Sequence, residues 1–260
     1  TTFEQTYGYA ALPIAWYVLA GNHDHYGNVE AQLQYTNRSS RWKFPDYFYS
    51  FNYNTSSVTA EVLMLDTVLL CGNTKFDHLL EEFFVGEILN IENDLPGPAD
   101  PERAENAWRW IEDKLSQSRA DYLFVAGHFP IWSISDHGPT KCLVDRLNPL
   151  LHKYNVTAFF TGHDHNLQHL KVTDSIFNTT VHHILSGLGT FADTSEEHRG
   201  SVPEGSSMFF YPESSWFGGV GLSYGGFVQS KLTATKGIFK YLRGDGKLLH
   251  EFTVEPRIFD

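Results

Sequence analysis

The sequence is poor in cysteine, in basic residues and in long apolar runs. Its only two cysteines, Cys71 and Cys142, allow at most one disulfide within the chain, and two buried free thiols fit the composition equally well. No apolar run approaches the roughly 18 residues that a membrane helix needs, so we expect no membrane partner.

Basic residues are outnumbered, because 19 Lys and Arg stand against 31 Asp and Glu, for a formal net charge of −12. Nucleic-acid binders normally present a basic face, and we therefore expect no nucleic-acid partner. The opening residues 1–10 also lack the basic start and the apolar stretch of a signal peptide, which indicates a processed product or a fragment.

Aromatic and apolar residues are plentiful, with 20 Phe, 13 Tyr and 6 Trp in a chain that is 42% hydrophobic. This composition can bury a core and favours a mixed or sheet-rich fold over a helical bundle. The length, without repeats or linkers, predicts a single domain over 1–260. Sequons for N-glycosylation favour the secretory pathway, and they lie at Asn37, Asn54, Asn155 and Asn178.

Apolar runs alternate with helical patterns along the chain. Three runs, over 14–19, 122–126 and 157–161, predict buried strands, and each leads into a glycine. Helices are predicted over 29–35, 101–119 and 142–154, and the second has an apolar stripe at Ala104, Ala107, Trp108, Ile111 and Leu115. Further strands are predicted over 47–51, 58–65, 181–185, 226–232, 238–242 and 248–254, with long loops over 72–100 and 200–225.

Each of the three glycine-terminated strands is followed by side chains that bind metals. If the strands are parallel neighbours, their carboxyl ends meet at one edge of a sheet and bring four of these side chains together, namely Asn22, His128, His163 and His165. Neutral imidazole nitrogens suit iron, zinc and other first-row ions, and an Asn carbonyl suits a harder divalent ion. Two such ions can clamp a phosphate ester and activate a water molecule.

The three segments in this order resemble the calcineurin-like metallophosphoesterase superfamily. Within it, the stretches 16–25, 41–45, 125–133, 136–140 and 162–168 closely resemble the mammalian-type, tartrate-resistant purple acid phosphatases. The resemblance covers nearly the whole chain, with different spacing over 72–100.

The resemblance implies an α/β fold, a metallophosphoesterase α/β/β/α sandwich of two mixed sheets flanked by helices. It implies an acid phosphatase that hydrolyses phosphate monoesters, with small aryl phosphates or phosphoproteins as substrates. The cofactor would be a dinuclear centre of Fe³⁺ with Fe²⁺, Zn²⁺ or Mn²⁺, and a metal-bound hydroxide would be the nucleophile. We further expect a secreted or lysosomal monomer.

The resemblance also implies roles for individual residues. Asn22, His128 and His163 match ligands of the divalent ion, and His165 matches a ligand of the ferric ion. His23 and His137 match catalytic positions that contact the substrate phosphate and assist the leaving group. Cys71 and Cys142 match the family disulfide, and the 72–100 loop matches a loop whose proteolysis relieves repression.

Two motifs that supply anionic ligands in the family have no counterpart here. We therefore expect the chain to be truncated at its N-terminus and, by itself, to bind iron weakly and to be inactive. Asp66 is not expected to be a ligand but to be buried or to cap a helix. Asp24 and Asp164 either orient neighbouring histidines or cap loops. Seven further histidines are interpreted as ordinary: His25, His152, His169, His182, His183, His198 and His250.

Two alternatives to the phosphomonoesterase remain open. One is a phosphodiesterase or nucleotidase of the same superfamily, against which the match over 132–140 argues. The other is a non-catalytic secreted protein that keeps the fold as a binding surface, for which the presence of all four ligand positions would be unusual.

Overall fold

The computed structural model of the protein describes residues 2–8, 13–74, 95–189, 192–212 and 225–259. The helices are α1 (Thr2–Thr6), α2 (Val29–Tyr35), α3 (Thr67–Cys71), α4 (Pro101–Gln117) and α5 (Lys141–Lys153). The strands are β1 (Trp16–Tyr17), β2 (Trp42–Lys43), β3 (Phe48–Asn54), β4 (Thr59–Leu65), β5 (Tyr122–Gly127), β6 (Ala158–Thr161), β7 (Leu167–Asp174), β8 (Thr179–Ser186), β9 (Ser207–Tyr211), β10 (Gly226–Leu232), β11 (Gly237–Arg243) and β12 (Leu248–Val254).

A seven-stranded mixed sheet forms the centre of the fold, in the order β3-β4-β5-β6-β8-β7-β9. Strands β4, β5, β6 and β8 are parallel to one another, and the pairs β3–β4, β7–β8 and β7–β9 are antiparallel. A second sheet, β10-β11-β12, is antiparallel, and β1 pairs with β2 in a small parallel sheet.

Helices α4 and α5 cover one face of the central sheet. Helix α4 begins at Pro101, where the Asp100 side chain caps it by accepting from the Arg103 backbone N–H at 3.0 Å. The predicted stripe of α4 is buried in full, and α5 adds Leu143, Leu147 and Leu151. Each fully buried leucine contributes about 2 kcal/mol through the hydrophobic effect. The Cys71–Cys142 disulfide then joins α3 to α5, with the two Cα atoms 5.8 Å apart, which confirms the pairing.

The three-stranded sheet packs on the opposite face of the central sheet through aromatic rings. The ring of Phe239 on β11 lies 6.1 Å from that of Phe124 on β5 and 5.0 Å from that of Phe252 on β12, measured between centroids. The expected sandwich of two sheets with flanking helices is therefore confirmed, although the smaller sheet is antiparallel. Among the helices of the described ranges, none combines the length and apolarity that crossing a membrane requires.

The first predicted strand differs from its prediction in both sheet and burial. Only Trp16–Tyr17 of 14–19 forms a strand, and it pairs with β2 rather than with the central sheet. Ile14 is 57% exposed, and Tyr17 stacks on Phe51 near the surface, with ring centroids 3.6 Å apart. A six-residue apolar run indicates an extended segment but not which partner covers it.

Five elements were not predicted, and two of them are the short helix α1 and the two-residue strand β2. Helix α3 begins directly after Asp66, β9 lies inside the loop predicted over 200–225, and β7 follows the third metal-type motif. Strand β7 escaped prediction because it has buried polar residues on both faces, Gln168 on one and His169 on the other, which are 0% and 2% exposed. Most of the predicted 72–100 loop, residues 75–94, lies outside the described residues.

Candidate functional site

Two parallel strands bring the second and third motifs together. His128 follows β5, and Gly162 and His163 follow β6, so both motifs lie at the carboxyl edge of the central sheet. The His128 carbonyl accepts from the Gly162 N–H at 3.2 Å and from the Thr161 hydroxyl at 2.7 Å. His163 has a φ of 69°, a left-handed conformation that is uncommon outside glycine and that clusters at functional sites.

The first motif reaches the same place from the small β1–β2 sheet. A side chain at Gly21 would put its Cβ 2.8 Å from the His128 ring, so only glycine allows the loop to approach so closely. The Asn22 side chain is buried, and its Nδ2 donates to the Thr74 hydroxyl at 3.0 Å. That hydrogen bond turns the amide oxygen of Asn22 towards His128.

Three donor atoms converge on one point. The Nε2 atom of His128 lies 2.8 Å from Asn22 Oδ1 and 3.2 Å from His163 Nδ1. One ring nitrogen cannot make good hydrogen bonds to both, because it carries either a single proton or a single lone pair. The arrangement does fit a metal ion, because two imidazole nitrogens and an amide oxygen form a suitable donor set for a first-row divalent ion.

The electrostatics keep these imidazoles in the form that binds metal. Burial lowers the pKa of His128 from its ordinary 6.5 to about 4. Burial and then the neighbouring His137 and His128 hold the pKa of His163 well below its ordinary value. His165 lies close enough to lower both pKa values further. His128 and His163 are therefore neutral and offer lone pairs at mildly acidic pH.

Carboxylates near these histidines have other partners. Asp24 accepts from the Gly21 N–H at 2.9 Å and from Gln32, and Asp66 caps α3 by accepting from the Leu69 N–H at 2.9 Å. Within the described ranges, no group of three or more His, Cys, Asp or Glu could hold a metal ion. The described donor set is therefore neutral and fits one ion. The expected capping role of Asp66 is confirmed.

The two predicted substrate histidines flank the converging atoms. The His137 ring lies against that of His163, with centroids 4.0 Å apart, and Asp164 Oδ1 accepts from His137 Nδ1 at 2.6 Å. His23 is exposed, and its charge is one of the influences that lower the pKa values of His128 and His163. Both can reach a ligand that approaches from solvent.

Sequence reasoning missed several supporting residues. Thr74 orients Asn22 and accepts from the Tyr26 hydroxyl through its backbone oxygen at 2.6 Å. Four buried polar residues surround Asp164 or its partners, namely Ser133, Ser135, Asn166 and Gln168. Ser133, Asn166 and Gln168 stand inside stretches that resemble the phosphatases, whereas Thr74 and Ser135 stand outside them.

Comparison with known proteins assigns the class. Residues 2–167 match the model of the calcineurin-like phosphoesterase family, and the chain belongs to this family. It is 40% identical to tartrate-resistant acid phosphatase type 5 of Oryctolagus cuniculus and of Homo sapiens, over 98% of this chain and 72% of each relative. Purple acid phosphatase 7 of Arabidopsis thaliana is 27% identical over 98% of the chain and 69% of that protein. These relatives imply a dinuclear metal centre and phosphate-ester substrates.

Solved structures agree on the fold. GAP50, the anchor in the inner membrane complex of Plasmodium, superposes with a TM-score of 0.65 at 21% identity, over 92% of this chain and 65% of that one. The purple acid phosphatase PPD1 from yellow lupin superposes with a TM-score of 0.54 at 17% identity, over 93% of this chain and 39% of that one.

Proposed function

We propose that the protein is an acid phosphatase that hydrolyses phosphate monoesters at a dinuclear metal centre. The observation that carries the proposal is the convergence of Asn22 Oδ1, His128 Nε2 and His163 Nδ1, flanked by His23 and His137. The 40% identity to tartrate-resistant acid phosphatases supports it, because these relatives bear the name of the activity.

Asn22, His128 and His163 would hold an exchangeable divalent ion, and His165 would be a ligand of Fe³⁺. The partner ion would be Fe²⁺, Zn²⁺ or Mn²⁺. When bound, the two ions would neutralise the charge of the phosphate and make water a better nucleophile. Because the described donors are neutral, we expect these donors by themselves to hold Fe³⁺ weakly.

The chain's own histidines would then manage the substrate. His23 is exposed, and in its protonated form it would donate to a phosphate oxygen. His137 would supply a proton to the oxygen of the leaving group, which would otherwise depart as an unstable anion. Both roles need protonated imidazole, so we propose an acidic pH optimum.

The test is metal analysis and hydrolysis of phenyl phosphate and diphenyl phosphate at pH 5 by the full-length protein. We expect about two metal ions per chain, turnover of the monoester, and loss of both metal and turnover in the His163→Ala variant. A protein that prefers the diester would be a phosphodiesterase. A correctly folded protein with neither metal nor turnover would be a binding protein on this fold.

We also propose secretion or lysosomal delivery, as a glycosylated monomer with one catalytic domain over 1–260. Two features support this location. The Cys71–Cys142 disulfide suits an oxidising compartment, and every sequon asparagine is exposed: Asn37, Asn54, Asn155 and Asn178. Mass spectrometry before and after enzymatic deglycosylation, together with size-exclusion chromatography, tests the glycans and the oligomeric state. An unglycosylated protein in the cytosol would contradict the proposal.

A further inference from the structure

Asp164 is a carboxylate with no exposed surface that lies between two candidate ligands in the chain, yet its side chain turns away from them. Its Oδ1 accepts from the His137 ring Nδ1 at 2.6 Å and from the His137 backbone N–H at 3.2 Å. Its Oδ2 accepts a short hydrogen bond from the Ser133 hydroxyl. A buried carboxylate is costly unless such donors compensate it, so the contacts fix its position.

A buried polar network holds these donors in place. Gln168 Nε2 donates to the hydroxyls of Ser133 at 2.8 Å and Ser135 at 3.0 Å, and Gln168 Oε1 accepts from the Ile134 N–H at 3.0 Å. The Asn166 side chain donates to Ser135 at 2.6 Å. Gln168, Asn166 and both serines are 0% exposed. A network so fully bonded makes the loop that carries His137 rigid.

The carboxylate decides which nitrogen of His137 carries the proton. Because Asp164 can only accept, its partner Nδ1 must be the N–H nitrogen. Any contact between His137 and a substrate oxygen therefore uses Nε2. We propose that Asp164 is a positioning residue that binds the Nδ1–H of His137 in both the neutral and the protonated ring, so that the protonated ring presents Nε2–H to the oxygen of the leaving group. This inference rests on the proposed phosphatase function.

Asp66 offers a matched control elsewhere in the chain. It is also a carboxylate with 0% exposure, and it lies 2.8 Å from the Nε2 atom of a histidine, His25. It also accepts from a backbone N–H, that of Leu69. Asp66→Asn therefore removes a buried Asp–His pair without touching His137, and it reports the purely structural cost of such a change.

The first test reads the tautomer by long-range ¹H–¹⁵N NMR of histidine rings in the metal-free, full-length protein. The His137→Asn variant identifies the His137 signals. We expect the Nδ1–H form in the wild type and in Asp66→Asn, and a shift towards the Nε2–H form in Asp164→Asn. A wild-type His137 in the Nε2–H form, or no change in Asp164→Asn, would overturn the proposal.

The second test separates kcat from KM in the metal-loaded protein. In Asp164→Asn we expect kcat for phenyl phosphate to fall by about 10²-fold, the lower range for general acid catalysis, with a smaller change in KM. The loss should be smaller for 2,4-dinitrophenyl phosphate, whose leaving group needs less protonation. Asp66→Asn should keep the wild-type kcat, and equal losses in both variants would show that Asp164 is only structural.

An inactive wild type and an unfolded Asp164→Asn variant would each leave one of these tests without a result. If the wild type has no phosphatase activity, the proposed function fails, and the NMR test alone decides the role of Asp164. If Asp164→Asn does not fold, Ser133→Ala takes its place, because it removes one donor to the carboxylate and leaves the Asp–His pair intact. We then expect about a 10-fold loss of kcat and a weakened Nδ1–H signal, and unchanged values of both would overturn the proposal.

Discussion

Two clusters that contain histidines have similar distances between their polar atoms but different patterns of contact. In the trio of Asn22, His128 and His163, one atom, His128 Nε2, is close to both other donors. Between the two sheets, His169 uses Nδ1 towards His250 at 3.0 Å and Nε2 towards His182 at 2.9 Å. In the trio both contacts meet at one atom. In the second group, the histidine chain, the two contacts use different nitrogens of His169.

The difference shows how contacts of about 3 Å can serve two purposes. Neutral imidazoles satisfy the histidine chain, because each ring can donate from one nitrogen and accept at the other. The Phe252 ring stacks on His169 with centroids 3.8 Å apart and on His182 at 4.8 Å. The histidine chain is thus part of the packing between the two sheets, whereas the trio is a candidate metal-binding site.

The largest effect should come from removing the shared atom. His128→Ala leaves Asn22 and His163 without their common neighbour, and metal affinity should fall by more than the roughly 10- to 100-fold typical of residues that merely support a ligand. Metal content by mass spectrometry and phosphatase rate measure the loss. His169→Ala is the counterpart, and its metal content should stay normal. A loss of metal in both variants would break the distinction between the clusters.

Acid should weaken the histidine chain. Burial lowers the pKa of His182 from its ordinary 6.5 to about 4, and burial followed by the neighbouring His182 and His250 lowers that of His169 to about 2. As the pH falls below 6.5, these histidines take up protons in the unfolded protein but stay neutral in the folded protein. The free energy of unfolding therefore decreases. For His182 this amounts to roughly 2 kcal/mol between pH 6.5 and 4.5.

Urea unfolding at the two pH values measures this loss of stability. The His182→Phe variant keeps a ring against Phe252 but does not titrate, and it should lose less stability on acidification than the wild type. Equal losses in the two proteins would show that the chain does not contribute to acid sensitivity.

A smaller effect should follow from adding one methyl group beside the trio. Gly21→Ala would place its Cβ 2.8 Å from the His128 ring, and relief of that clash should cost about 1–3 kcal/mol and weaken metal binding. Gly200→Ala is the control, since nothing lies within 4 Å of its Cβ. Chemical denaturation and metal titration of both variants compare them, and an unaffected Gly21→Ala would contradict the close approach.

The smallest effect is expected at the outer end of the histidine chain. His250 is half-buried and makes one hydrogen bond to His169 within the chain. His250→Gln should cost about 1 kcal/mol, the typical net value of one hydrogen bond. Thermal unfolding measures it, with Lys247→Gln on the neighbouring turn as a surface control. A cost above that of His169→Ala would reverse the order of importance within the chain.

Sequence patterns predicted the parts of the fold that follow a regular period. The stripe of α4 was predicted residue by residue because 3.6-residue spacing defines one buried face. Strand β7 was missed because polar residues are buried on both of its faces, and the histidine chain was missed because only the packing of two sheets brings His250 to His169. Distant partners leave no periodic signal in one sequence.

The candidate site was predicted for a reason that is only partly correct. His128 and His163 do come together because β5 and β6 are parallel neighbours. Asn22 arrives from a different sheet, and the absence of a side chain at Gly21 makes its approach possible. Asp164 was expected to orient a histidine or cap a loop, and its partner is His137, 27 positions away in the chain.

The contact between Asn22 and His128 joins residues that are 106 positions apart. Closing so long a loop is slow compared with forming local helices and hairpins, because its entropy must be lost before the contact compensates for it. On this argument we expect the trio to form later than the local helices and hairpins. The rate of metal uptake during refolding would therefore report when the loop that carries Asn22 reaches the central sheet.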